Sequence, residues 1–260
     1  MGREVVPRPE PPLFGSLPHT DTVRGTRLMF EHTPEIPSWV QFPRKSPLET
    51  MLHQFSEGIP GLIREDECDL INAELPDFLN QLMLFYRNYL AVIEEGDINA
   101  LDAFGLSPSY ASGFHEFLRQ LPDCLAEKKT VMLKGQVTGP VTLGINILDQ
   151  DRRCSYYDEQ LRDILVKMTA MKAVWQIRQW RRFQLPVMIF IDEPSLLLLG
   201  KALFLTIDRR EVIRDLNEVA SAIHAFGGLA GVHCEENTDW SMLMSADLDL
   251  LDFDAYGHFQ

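Results

Sequence analysis

The sequence offers little to a polyanion. It carries 38 acidic residues against 24 lysines and arginines, a formal net charge of -14, whereas nucleic acid and anionic membrane surfaces call for the opposite balance. It has no Gly-x-Gly-x-x-Gly after its first strand candidate and no P-loop, so nucleotide-binding versions of an α/β sheet find no support. No run of about 18 apolar residues occurs, which leaves nothing to span a bilayer as a helix. The Pro-rich stretch from Met1 to Pro12 lacks the apolar centre that a signal peptide needs. Four cysteines (Cys68, Cys124, Cys154, Cys234) include no C-x-x-C pair. Neither a disulfide framework nor a zinc finger is indicated, and a reducing cytoplasm is the expected setting.

What is present is the composition of an ordinary globular chain, 45% apolar and 24% charged over 260 residues, enough to bury one large core. Leu13 to Pro18 reads as a short strand, and Ile36 to Phe42 as a second, bracketed by Pro34, Pro37 and Pro43. Between them, Thr20 to Glu31 has the cap and apolar face of a helix. From 56 to 121 the pattern loosens into a turn at Gly58–Gly61, a small hairpin over Leu62 to Ile71 and two helices. This region reads as an insertion into a single domain spanning 1–260. Regular alternation then returns: a strand over Thr130 to Val137, an amphipathic helix over Tyr157 to Phe183, a strand over Val187 to Ile191, a helix over Arg209 to Phe226, and strands over Leu229 to His233 and Leu248 to Asp254.

Continuous apolar strands alternating with helices predict a parallel sheet covered by helices. Three successive strands end in chemistry: Asp192-Glu193, His233-Cys234-Glu235 and Asp252-x-Asp254. In a TIM-type (β/α)8 barrel such ends converge on a shared mouth, and this is the expected fold. The ring needs eight strands and the sequence supplies about six, so the barrel is expected to be incomplete at the C-terminus, with truncation the favoured reason. The run Gly231-Val232-His233-Cys234-Glu235 is the expected centre of the site, since imidazole, thiol and carboxylate are the side chains that bind zinc or move protons.

Four segments in this order carry a resemblance: Phe14-Gly15-Ser16-Leu17-Pro18; Lys134-Gly135-Gln136-Val137-Thr138-Gly139-Pro140-Val141-Thr142; Ile191-Asp192-Glu193-Pro194-Ser195; and Val232-His233-Cys234 through Leu251-Asp252-Phe253-Asp254-Ala255. The chain resembles the barrel superfamily of cobalamin-independent methionine synthase and uroporphyrinogen decarboxylase, and is most similar to the methionine-synthase catalytic domain and its short stand-alone relatives. The resemblance implies a zinc-dependent methyltransferase. Zinc in that family binds a thiol such as that of homocysteine and presents the thiolate to a methyl donor, a methyl-folate or a methyl-corrinoid. It also implies roles for residues here: Gly15 and Ser16 against the backbone of the amino-acid substrate, Asp192 (with Glu193) on its ammonium, and Asp192 and His233 as the catalytic pair.

The zinc set departs from the family pattern. His-x-Cys becomes His233-x-Glu235, with Cys234 shifted by one residue and therefore turned to the other face of its strand. The ligands left are His233, Glu235 and Asp254, a nitrogen–oxygen site harder than one with thiolates. Two alternatives follow. One is a degenerate or corrinoid-linked paralogue, with a corrinoid protein or a second copy as partner. The other is a decarboxylase-like lyase, which the acidic strand ends disfavour because tetrapyrrole carboxylates call for arginines.

Overall fold

The computed structural model describes residues 13, 15–65, 68–201, 206–235 and 238–254. The Pro-rich arm, Phe14, Glu236, Asn237 and Ala255 therefore lie outside the described residues. In chain order the elements are α1 (Thr22–His32), α2 (Met51–Ser56), β1 (Leu62–Arg64), β2 (Asp69–Ile71), α3 (Phe78–Ile93), α4 (Ser112–Ala126), β3 (Leu133–Thr138), α5 (Pro140–Asn146), β4 (Leu148–Asp149), α6 (Glu159–Trp180), β5 (Val187–Asp192), α7 (Arg209–Ala225), β6 (Leu229–Cys234), α8 (Trp240–Leu243) and β7 (Leu250–Phe253).

Strands β3, β5, β6 and β7 lie side by side in that order, all parallel. Parallel neighbours need a crossover, and helices supply each one. The array extends beyond β3: Ser38 makes a parallel bridge to Lys134, and Ser16 makes one to Gln41. The two Pro-bracketed stretches expected to be strands are thus present only as isolated bridges. The prolines leave gaps in the ladder, although Leu17 N–H still reaches Gln41 O at 3.0 Å and Lys134 N–H reaches Pro37 O at 3.1 Å. Six extended segments stand in sequence order as an open parallel array, and the described strands do not close into a ring.

Register divides the sheet into two faces. Leu133, Val137, Ile189, Ile191, Ala230, Val232 and Cys234 point into a large apolar core shared with α6 and α7. Lys134, Gln136, Thr138, Met188, Phe190, Asp192, His233 and Asp252 lie on the other face. Met188 and Phe190 there form a small apolar layer with Met132, Leu229 and Leu250.

Local sequence starts three of the helices. Asp21 caps α1 by accepting from Arg24 N–H, Asp158 caps α6 by accepting from Gln160 and Leu161 N–H, and Asp208 caps α7 by accepting from Arg210 N–H. One expectation needs correction. The helix expected to be amphipathic, α6, is buried on nearly every side: from Ile164 to Ile177 only Lys167 is not buried. It packs against β3, β5, α5, α7 and the segment 98–104, so its polar groups are used inside. Gln176, for example, accepts from Trp39 Nε1 at 2.8 Å and donates to Gln136 O at 2.9 Å. The 56–121 region holds the expected hairpin, β1 against β2, and the two expected helices. Its Phe78, Phe85, Phe104, Phe114 and Phe117 enter the same core as the sheet, so the region is packed into that core and does more than lie across one end.

Candidate functional site

The C-terminal ends of β5, β6 and β7 present one row of polar side chains. Asp192 pairs in register with His233, and His233 with Asp252. Because all three strands are parallel, three residues remote in sequence arrive on one face at one level. His233 Nδ1 lies 2.5 Å from Asp252 Oδ2, and its Nε2 lies 3.8 Å from Glu235 Oε1. Phe190 lies on the same face, closer to the strand starts. Gly231 accommodates its ring: a Cβ at 231 would meet Phe190 at 2.7 Å. The Nζ of Lys134 sits 5.2 Å from the centre of the Phe190 ring.

Burial tunes these groups. Burial pushes the Asp192 carboxyl up to about 6, against the pull of Lys134 and His233. Its Oδ1 is buried with no hydrogen-bond partner among the described residues. Lys134 is fully buried, which brings its ammonium down to about 8, while Asp192 and Asp252 favour its charge. For His233, burial favours the neutral ring, but the Asp252 hydrogen bond and the charges of Asp192, Asp252 and Glu235 together more than offset it. The imidazole ends above its ordinary value. The arrangement sets a buried carboxylate, a mostly buried imidazole and a partly exposed carboxylate side by side at one end of the sheet, a combination suited to binding a cation and moving a proton.

The remaining expected site residues fall in different places. Glu193 is fully buried beside Asp192 and faces no opening. Its carboxylate accepts from Val141 N–H at 2.9 Å, Thr142 N–H at 2.7 Å and Thr142 Oγ1 at 2.6 Å, which caps α5 from 52 residues away. Gly139 is required at that contact, because a Cβ there would sit 2.2 Å from the Glu193 carboxyl carbon. The two most distinctive motifs, K-G-x-x-T-G-P-V-T and I-D-E-P-S, therefore interlock. Gly15 has a left-handed backbone, φ +83°, and Ser16 is exposed on a segment separated from β3 by the stretch around Ser38–Gln41. Glu235 has 78% of its side chain exposed. Asp254 is exposed beyond the end of β7.

Sequence reasoning missed Asp252 as the partner of His233. The signal was available in the alternation Asp252-x-Asp254, but only register says which of the two lies opposite the imidazole. Among the described residues no three His, Cys, Asp or Glu side chains, the expected His233, Glu235 and Asp254 included, gather in a way that holds a metal ion. Cys234 points into the core on the opposite face and is fully buried. A cleft of about 610 Å³ elsewhere, between α1 and α4, is lined by opposed charges including Arg27, Glu31, Arg119 and Asp123. No helix among the described residues is long and apolar enough to cross a membrane. Comparison with known proteins returned no matching family model, curated protein or solved structure.

Proposed function

We propose that this chain is an enzyme of the methionine-synthase type, built on a (β/α)8 scaffold, that moves a methyl group onto a small amino-thiol such as homocysteine. The observation that carries the reading is Asp192. A buried carboxylate oxygen without a donor costs on the order of 1–3 kcal/mol or more, and a bound ammonium group recovers that cost. An α-amino thiol brings an ammonium group for Asp192 and, a few bonds away, a thiol toward the neighbouring His233. Thiolate is the nucleophile in alkyl transfer, so a group that takes the thiol proton belongs beside it. Binding of both functional groups by fixed side chains also holds the sulfur in place for attack on the methyl carbon.

The charge balance supports the same substrate class. Among the described residues the carboxylates Asp192, Glu235 and Asp252 outnumber the basic groups Lys134 and His233 near them, which suits a cationic ligand and not the polycarboxylate tetrapyrrole of the lyase alternative. The resemblance supplies the donor class: a methyl-folate, or a methyl-corrinoid carried by a partner protein.

The test is methionine formation from homocysteine with 5-methyltetrahydrofolate or methylcobalamin, run on the protein and on Asp192→Asn. The reading expects turnover with one donor and a loss of about 100-fold in the variant. Absence of methionine with both donors, together with no binding of homocysteine, overturns it.

A further inference from the structure

We infer that Gln136 is a second anchor for the substrate's amine: its side-chain carbonyl and the Asp192 carboxylate form a cradle of acceptors that selects an ammonium group with two or more N–H bonds. The inference rests on the reading of Asp192 as the ammonium site and adds to it the residue that decides which amines fit.

Strand register sets the pair. β3 and β5 are parallel, with Gln136 opposite Phe190 and Thr138 opposite Asp192. Gln136 and Asp192 are therefore diagonal neighbours on one face, a separation within reach of a long side chain. Gln136 is 1% exposed and Asp192 7%. Each has one buried oxygen, Gln136 Oε1 and Asp192 Oδ1, that no described group satisfies.

Their register partners do not serve them. Thr138 Oγ1, beside Asp192, donates to Met51 O at 2.8 Å. Phe190, opposite Gln136, belongs to the apolar layer with Met132 and Met188. The amide itself is locked. Its Nε2 donates to Trp39 O at 3.0 Å, and since only the nitrogen of an amide serves a carbonyl, Oε1 is the atom left over. Behind it, Gln176 donates from Nε2 to Gln136 O at 2.9 Å and accepts from Trp39 Nε1 at 2.8 Å. Trp39, Gln136 and Gln176 thus hold one another, and the carbonyl is in place before a ligand arrives.

Two fixed acceptors specify the ligand's chemistry. A carboxylate or phosphate would set acceptors against acceptors. A hydroxyl offers one hydrogen, whereas a primary ammonium offers three and a positive charge for Asp192. Such a group serves both oxygens at once. A first N-methyl group leaves two N–H bonds, and a second leaves the charge with a single N–H. One buried oxygen then stays unsatisfied, and burial makes that omission costly.

Calorimetric titration tests this with homocysteine, its N-methyl and N,N-dimethyl derivatives, and 2-aminobutyrate, which lacks the thiol, on the protein and on Gln136→Met. N-methylhomocysteine is expected to bind the protein within about 3-fold of homocysteine, and the N,N-dimethyl derivative at least about 10-fold more weakly. Gln136→Met should weaken homocysteine by about 10-fold and the N,N-dimethyl derivative by less than about 3-fold. The methylation series needs no variant, so it decides the matter even where circular dichroism shows Gln136→Met unfolded. Equal binding across the series, or an equal loss at each methyl group, overturns the inference. So does a folded Gln136→Met with unchanged affinity for homocysteine, or with an equal loss for both ligands, the mark of an amide that serves only the fold. If 2-aminobutyrate depends on Gln136 in the same way while no methionine forms, the methyl-transfer reading falls and the cradle remains. Methionine formation with homocysteine affinity indifferent to Gln136→Met gives the reverse. No binding of any of these amines overturns both.

Discussion

Asp192 and Glu193 are neighbours at the end of β5, both buried, both pushed well above the ordinary carboxylate range by burial. The chain treats them in opposite ways. Glu193 receives three donors from the start of α5 and fixes the turn after β3. Asp192 has a buried oxygen that no described group satisfies. A carboxylate inside a protein is tolerated when its hydrogen bonds are complete, so the completed one is structure and the incomplete one is the candidate for binding. Two acids of the same motif thus divide into a clamp and a receptor, and the division is testable by replacing each.

The largest effect belongs to the clamp. Glu193→Ala leaves the first N–H groups of α5 and the Thr142 hydroxyl without their acceptor, and the expected loss is about 3–5 kcal/mol in urea unfolding at pH 8. A loss under about 1 kcal/mol would erase the distinction between the two acids.

The pH dependence comes next. Glu193 is raised from 4.5 to about 7 and Asp192 from 3.8 to about 6 in the folded protein. Raised folded values mean that the native state holds protons the unfolded chain has released. Their contribution is therefore present below about pH 4 and is lost as pH climbs through 6 and 7. Relative to Glu193→Gln, the protein should lose stability on the order of 3 kcal/mol between pH 4.5 and 8, read as the difference between two melting-temperature profiles. Parallel profiles would show that Glu193 is not held protonated.

The receptor should behave differently. Asp192→Asn is expected to cost less than the clamp variant, because the amide keeps the side chain's shape and removes a carboxylate whose Oδ1 has no donor among the described residues, although Lys134 loses a counter-charge. Equal, large destabilisation of both variants would mean that Asp192 is structural too. The smallest effect is expected at Glu235, whose side chain lies in solvent: Glu235→Gln should alter acceptor binding by less than about 3-fold, as exposed charges do.

Much of the sheet is legible in the sequence for a simple reason. Val187 to Ile191 and Leu229 to Val232 are apolar without interruption, and only strands buried on both faces read that way. The polar residues that follow them then mark the mouth. Prolines around Ile36–Phe42 reduce a strand to bridges, which the sequence hints at and the backbone confirms. The burial of α6 is not legible, since its two lysines and its glutamines look solvent-facing until Gln176 is seen holding Trp39 and β3. The choice of Asp252 over Asp254 depends on register across two strands, and the role of Glu193 depends on the Val141 N–H at the start of α5, 52 residues earlier. Both are tertiary facts with no local trace. Adjacent residues in one motif gave no sign of which was clamp and which receptor.

Calorimetric titration of homocysteine into the protein and into Asp192→Asn addresses the receptor most directly. The expected result is saturable binding weakened at least about 10-fold by the amide, with the fold intact by circular dichroism. Equal affinity in the two proteins would contradict the assignment of Asp192 as the substrate's anchor.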